Sequence, residues 1–252
     1  MKGILRTVVV ICAFALISSN AFAGGGPVVI KALPFTITAP GAYALTKSLA
    51  TTTDTDGITV NANNVTIDFG GFGITGPGTT RNGIFIAYNN KRVEIRNGFI
   101  TGFDTGIRQA GIEDVTTRVI NMKIYSNASY GININARGNL VKDCTVEGSI
   151  IGIYTGVGST VTGNIITGNT MYGIFADFGC MISGNTVYSN PGTGIYAYPG
   201  GSIINNLINN NTGKGLDGSN SSLVNNNSVF GNGDVNISLT GGGSPVGTNF
   251  AP

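Results

Sequence analysis

The chain has 252 residues, of which 40 are glycine, 10% are charged and none is histidine or tryptophan. Without histidine there is no histidine-based triad, general base or metal ligand, and a net charge of +2 gives no reason to expect nucleic acid as a partner. A hydrophobic content of 41% is too high for a disordered chain, and the glycines do not fall at every third position as in collagen.

Residues 1–23 read as an export signal. Lys2 and Arg6 give the positive start, Val8 to Ile17 an unbroken apolar run of ten residues, and Ala21-Phe22-Ala23 the cleavage pattern. That run is too short to span a bilayer, and no later segment is apolar enough. The expected product is soluble and periplasmic or extracellular. Removing Lys2 and Arg6 from the 14 basic residues leaves 12, equal to the 12 acidic ones.

Residues 24–56 precede any repeat. Phe35-Thr36-Ile37-Thr38 and Tyr43-Ala44-Leu45 flank a Pro40-Gly41 turn and read as short strands. They are expected to cover the N-terminal end of the repeat region.

Residues 57–240 carry a repeat. Gly131, Gly152, Gly173, Gly194 and Gly215 each precede Ile or Leu, always 21 residues apart. Asn164, Asn185, Asn206 and Asn227 keep that interval, with Asp143 read in the preceding place. So do Asn169, Asn190, Asn211 and Asn232. A fixed period of this size means a solenoid. Upstream, Gly57, Gly83 and Gly106 lead into Gly131 at intervals of 26, 23 and 25, so extra residues sit at corners.

The aliphatic columns identify the solenoid. Ile132, Ile153, Ile174, Ile195 and Leu216 follow the glycines. Leu140, Val161, Ile182, Ile203 and Val224 make a second column. Ile166, Val187, Ile208 and Val229 make a third, entered by Thr145. Such short Val/Ile/Thr segments alternate with period 2 and predict strands. The predicted fold is all-β: a parallel β-helix of about eight coils with three short strands per coil, a rod roughly 38 Å long at the ordinary strand spacing. Asparagine and glycine are expected at its corners, where asparagine columns bond from coil to coil. Cys144 and Cys180 fall in different columns and are expected to be unpaired. Residues 241–252 read as a loose tail that partly caps the far end.

Three stretches carry a family resemblance: ITAPGAYAL (37–45), GITV (57–60) and NVTIDFGGFGI (64–74). They resemble exported bacterial right-handed parallel β-helix proteins of the pectin-lyase-like superfamily. The resemblance implies the right hand of the helix. It leaves function open, because the superfamily holds polysaccharide lyases, glycoside hydrolases, epimerases, surface proteins and accessory periplasmic proteins.

Hydrolases of this shape need clustered carboxylates. Lyases commonly need calcium held by acidic residues and a basic residue as proton acceptor. The 12 acidic residues are dispersed, with Asp54/Asp56 and Glu113/Asp114 the only close pairs. No metal site and no cofactor is predicted. Aligning Ile67, Ile95, Val119 and Leu140 as one inward column places Asp68 beside Arg96 and Glu94 beside Arg118. These four are either cross-coil ion pairs that specify register or an acid–base site. Residues 81–147 carry nine basic and six acidic groups, so the middle of the rod is mildly cationic.

Tyr154, Phe175 and Tyr196 each follow an inward Ile and are expected to point outward, with Tyr198 and Phe178 nearby. Such a row either stacks on sugar rings or stiffens the sheet. Three functions are consistent with these features: a non-catalytic exported β-helix that binds carbohydrate or a cell-surface component; a polysaccharide lyase or glycoside hydrolase acting on an acidic glycan; and a structural or adhesive rod.

Overall fold

A computed structural model describes residues 25–78, 81–112, 116–219, 222–240 and 246–252. The expected export signal lies outside the described residues. Every element among those described is a strand. The strands form a ten-stranded sheet and a seventeen-stranded sheet, and the pairing of strands within them is parallel.

One repeat shows how the chain climbs. Ile151–Thr155 joins the smaller sheet, then Thr160–Thr162 and Ile165–Thr167 join the larger one. Each pairs with its counterpart one coil on, Ile153 with Ile174, Val161 with Ile182 and Ile166 with Val187. The chain therefore rises by one strand spacing per coil, about 4.8 Å. The three predicted strands per coil are present. In two earlier coils the pair on the larger sheet runs together as the nine-residue strands Val93–Thr101 and Thr117–Tyr125.

The solenoid has about nine turns rather than eight. The added turn comes from the segment expected as a cap. Val28–Ile30 pairs in parallel with Gly41–Leu45, and Phe35–Ile37 pairs with Ile58–Val60. At the other end, Val246 and Phe250 form parallel bridges to Val224 and Ser228. Part of the expected loose tail thus continues the climb.

The interior is made of stacked aliphatic columns. Ile153, Ile174, Ile195 and Leu216 are fully buried, as are Val161, Ile182, Ile203 and Val224. One coil shifts the register of two columns. Leu140 pairs with Thr160 and is only half-buried, whereas Val141 pairs with Val161 and is fully buried. Val146, not Thr145, likewise pairs with Ile166. From Val141 to Val161 the chain advances 20 residues, and a strict 21-residue count misplaces both columns by one. A one-residue slip turns every side chain to the opposite face.

The corners separate two roles that sequence reading merged. Asn164, Asn185, Asn206 and Asn227 are buried and bond side chain to side chain up the rod, 2.9 to 3.0 Å apart. Each side chain also donates to a main-chain carbonyl on the coil below, as Asn185 does to Val161 at 2.9 Å. The residue before each ladder asparagine takes the left-handed turn: Gly163, Gly184, Asn205 and Asn226, all with φ between 56° and 68°. Asp143 belongs to this turning column, with φ 54°. Cys144 holds the ladder position, its N–H donating to the Asn164 side chain at 2.8 Å.

The repeated Gly-Ile glycines are not corner residues. Gly173 lies inside Tyr172–Ala176. A β-carbon there would stand 2.6 Å from the carbonyl oxygen of Gly194 on the next coil. The close approach of stacked coils, and not a positive φ, demands this column.

The interior is not wholly apolar. Gln109 stands between Ile86 and Ile134 in an inward column. It is 2% exposed, and neither side-chain amide atom has a hydrogen-bond partner among the described residues.

Candidate functional site

The larger sheet brings together the charged residues picked out by sequence. Asp68 pairs in register with Arg96, and Glu94 with Arg118. Arg96 Nε donates to Asp68 Oδ2 at 2.9 Å, and its Nη1 donates to Glu94 Oε1 at 2.9 Å. Glu94 Oε2 lies 3.1 Å from Arg118 Nε. The four side chains form one continuous ladder across three coils.

Asp68 also accepts the Gly70 N–H at 2.9 Å and the Asn97 side chain at 3.2 Å. Burial opposes its ionisation, but these bonds and the Arg96 charge outweigh that, and its carboxyl sits below the usual range. The hydrogen bond to Asp68 is the main reason that Arg96 is held above its usual value. A general acid or base works best with a pKa near the operating pH. Both groups are moved away from neutrality.

The smaller sheet carries the aromatic row. Tyr154 pairs with Phe175, and Phe175 with Tyr196, all half-exposed. Tyr154 meets Phe175 edge-on at 5.1 Å between ring centres. Phe175 stacks on Tyr196 at 5.1 Å. Tyr198 follows the strand and stacks on the exposed Phe178 at 5.0 Å. Two further rings escaped sequence reading. Tyr172 lies 5.2 Å from Phe175, and Tyr130 lies 6.4 Å from Tyr154. Both stand at the first position of their strands, outside the column that follows each inward Ile. Burial raises the Tyr154 phenol, helped by the Asp177 carboxylate; burial also raises Tyr196, helped by Tyr198. Both phenols are neutral at physiological pH.

The same outward row continues toward the N-terminus. Tyr154 pairs with Asn133, Asn133 with Arg108, and Arg108 with Phe85. Here the surface is concave. A hollow of about 300 Å³ is bordered by Asp56, Arg81, Phe85, Tyr88, Arg108 and Asn133, among others. An adjoining hollow is bordered by Asp54, Arg81, Asn82, Asp104 and Arg108. Carboxylates dispersed in sequence thus meet two arginines at one place. Following the aromatic column backward through Ile153, Ile132 and Ile107 would have found Arg108. The less regular spacing of the early coils hid it.

Among the described residues no group of three or more His, Cys, Asp or Glu side chains is arranged to hold a metal ion. Glu113 and Asp114 lie outside the described residues. Cys144 and Cys180 are both buried free thiols. Burial pushes Cys144 up to about 12 and Cys180 up to about 11.

The fold is that of a parallel β-solenoid. Residues 105–251 match the family described as right handed beta helix region. The chain belongs to that family. No curated protein matches it in sequence. Solved structures share the fold. A mutant of the periplasmic alginate epimerase AlgG superposes with a TM-score of 0.59 at 16% identity, over 80% of this chain and 63% of that one. Dettilon tailspike protein gives 0.52 at 15%, over 80% of this chain and 47% of the tailspike. Pectate lyase Pel9A gives 0.51 at 15%, over 83% and 71%. The chain thus spans less than two-thirds of the epimerase and of the tailspike. No helix among the described residues is long and apolar enough to cross a membrane.

Proposed function

We propose that this chain is an exported, non-catalytic β-helix protein that binds carbohydrate through the outward face of its ten-stranded sheet. The observation that carries the reading is the half-exposed aromatic row Tyr154–Phe175–Tyr196, which runs in register into a polar hollow. Aromatic rings offer apolar area with a polar tip, which suits the two-faced surface of a sugar. The Asp68–Arg96–Glu94–Arg118 ladder satisfies its own charges, and we read it as a register device. Two structural neighbours are named for alginate and pectate. Residues 1–23 are read as the export signal, which places the protein in the periplasm or outside the cell.

The test is binding to a glycan array. Replacing Tyr154 and Tyr196 together by alanine is expected to weaken the best glycan at least tenfold, about 1.4 kcal/mol. Unchanged binding in a variant that keeps the wild-type far-ultraviolet spectrum would refute the reading. The second reading, an acid–base enzyme at Asp68, Glu94, Arg96 and Arg118, rests on their contact across coils. It requires that the wild-type chain release unsaturated uronates from a polyuronate and that Arg96→Ala abolish the release.

A further inference from the structure

The outward row of the ten-stranded sheet is chemically divided, and the division bears on which glycan it takes. This inference rests on the carbohydrate-binding reading above. At the N-terminal end, Arg81 and Arg108 border the same two adjoining hollows. Neither is in an ion pair among the described residues. Two of the three neighbouring carboxylates are held by uncharged donors, which leave their negative charge in place. Asp56 accepts the N–H and the side chain of Asn82 at 3.1 and 2.7 Å. Asp104 accepts the hydroxyls of Ser129 and Thr105 at 2.6 and 3.2 Å. Asp54 completes the rim. A guanidinium is a planar fork that fits the paired oxygens of a carboxylate, sulfate or phosphate.

The other end lacks such groups. After Glu147 the only basic residue is Lys214, and its Nζ is bonded to Asp217 at 2.9 Å. Asp217 follows Tyr196 in the outward row, and Asp177 lies just beyond Ala176 at the edge of the aromatic cluster. An anion seated against these rings would lose water and gain no cation, which is costly.

We infer that this face takes a glycan with one isolated anionic group, held between Arg81 and Arg108, whose uncharged sugar rings extend along the rod over Tyr154, Phe175 and Tyr196. A polymer charged on every residue is disfavoured, because its anions fall on the aromatic end. Arg108 stands two coils from Tyr154. That step is about 9.6 Å at the ordinary strand spacing, enough to seat an intervening ring.

The full chain is tested on defined oligosaccharides of three kinds: neutral glycans, the same glycans bearing one terminal carboxylate or one terminal sulfate, and tetragalacturonate and tetramannuronate. The expected best binder carries a single charge and exceeds both its neutral parent and the tetrauronates at least tenfold. The carboxylate and sulfate arms show which anion is read. Arg81→Gln with Arg108→Gln is expected to remove that preference, so that the singly charged glycan binds no more tightly than its neutral parent, and raising the salt concentration should likewise shrink the preference. Tetrauronates that bind as tightly as the singly charged glycans would overturn the inference. So would an arginine variant that keeps the preference. In either case tyrosine-dependent binding of neutral glycans would leave the carbohydrate reading standing. Failure of every glycan class to bind would remove both.

Discussion

Asn185 lies in the middle of the asparagine ladder, and its removal tests whether the ladder holds the coils together. Its side chain accepts from Asn164 twice, from the N–H at 3.0 Å and the side-chain amide at 2.9 Å. It donates to the Val161 carbonyl at 2.9 Å and to Asn206 Oδ1 at 3.0 Å. In Asn185→Ala all four bonds are lost. Asn164 Nδ2 keeps a bond to the Val141 carbonyl, and Asn206 Oδ1 keeps the Asn185 N–H. The Asn164 N–H keeps nothing in place of Asn185. A stranded buried donor costs about 1–3 kcal/mol, and each other lost bond roughly 0.5–1.5 kcal/mol. The expected loss is about 2.5–7.5 kcal/mol, a large part of a typical domain's 5–15 kcal/mol. Equilibrium urea unfolding followed by far-ultraviolet circular dichroism measures it. A loss under about 1 kcal/mol would refute the reasoning, since a single unpaired donor should already exceed that. Asn185→Asp adds a sign test. A buried carboxylate facing the Val161 and Asn206 oxygens has its folded pKa raised above the unfolded value. Its destabilisation is then smallest below about pH 3.9 and grows as pH rises.

Gln109→Leu is expected to raise stability by about 1–3 kcal/mol, because it removes a buried amide with no partner among the described residues; a fall in the melting temperature would contradict this. Asp68→Asn should cost about 0.2–1 kcal/mol at pH 7, since Asp68 and Arg96 are both partly exposed. The Asp68 carboxyl is lowered in the folded chain, so its contribution is present above the unfolded pKa and is lost as pH falls through the folded one; a wild-type–mutant gap that does not shrink at all as the pH is lowered below the unfolded pKa would refute the assignment. Cys144 and Cys180 should resist a thiol reagent at pH 8 in the native chain and react fully in guanidinium chloride, because burial raises both thiols; fast native labelling would show that the rod opens.

The composition and the 21-residue period were enough for a parallel β-helix. Stacked identical positions impose identical environments, so columns of Ile, Asn and Gly are written directly into the spacing. The ion pairs of Asp68 with Arg96 and of Glu94 with Arg118, and the row Tyr154–Phe175–Tyr196, were legible for the same reason, since in-register neighbours differ by one coil length. Tertiary structure decided what the count could not. A coil one residue short moved the inward column from Leu140 to Val141 and the ladder position from Asp143 to Cys144, and only the hydrogen-bonded register shows where the missing residue falls. The glycines of the Gly-Ile column were explained by a carbonyl 2.6 Å away on another coil, a distance no local pattern contains. The hollow around Arg81 and Arg108 was invisible for a related reason. Asp54, Asp56, Arg81, Asp104 and Arg108 come from three coils of unequal length, and a site built across coils exists only once their stacking is set.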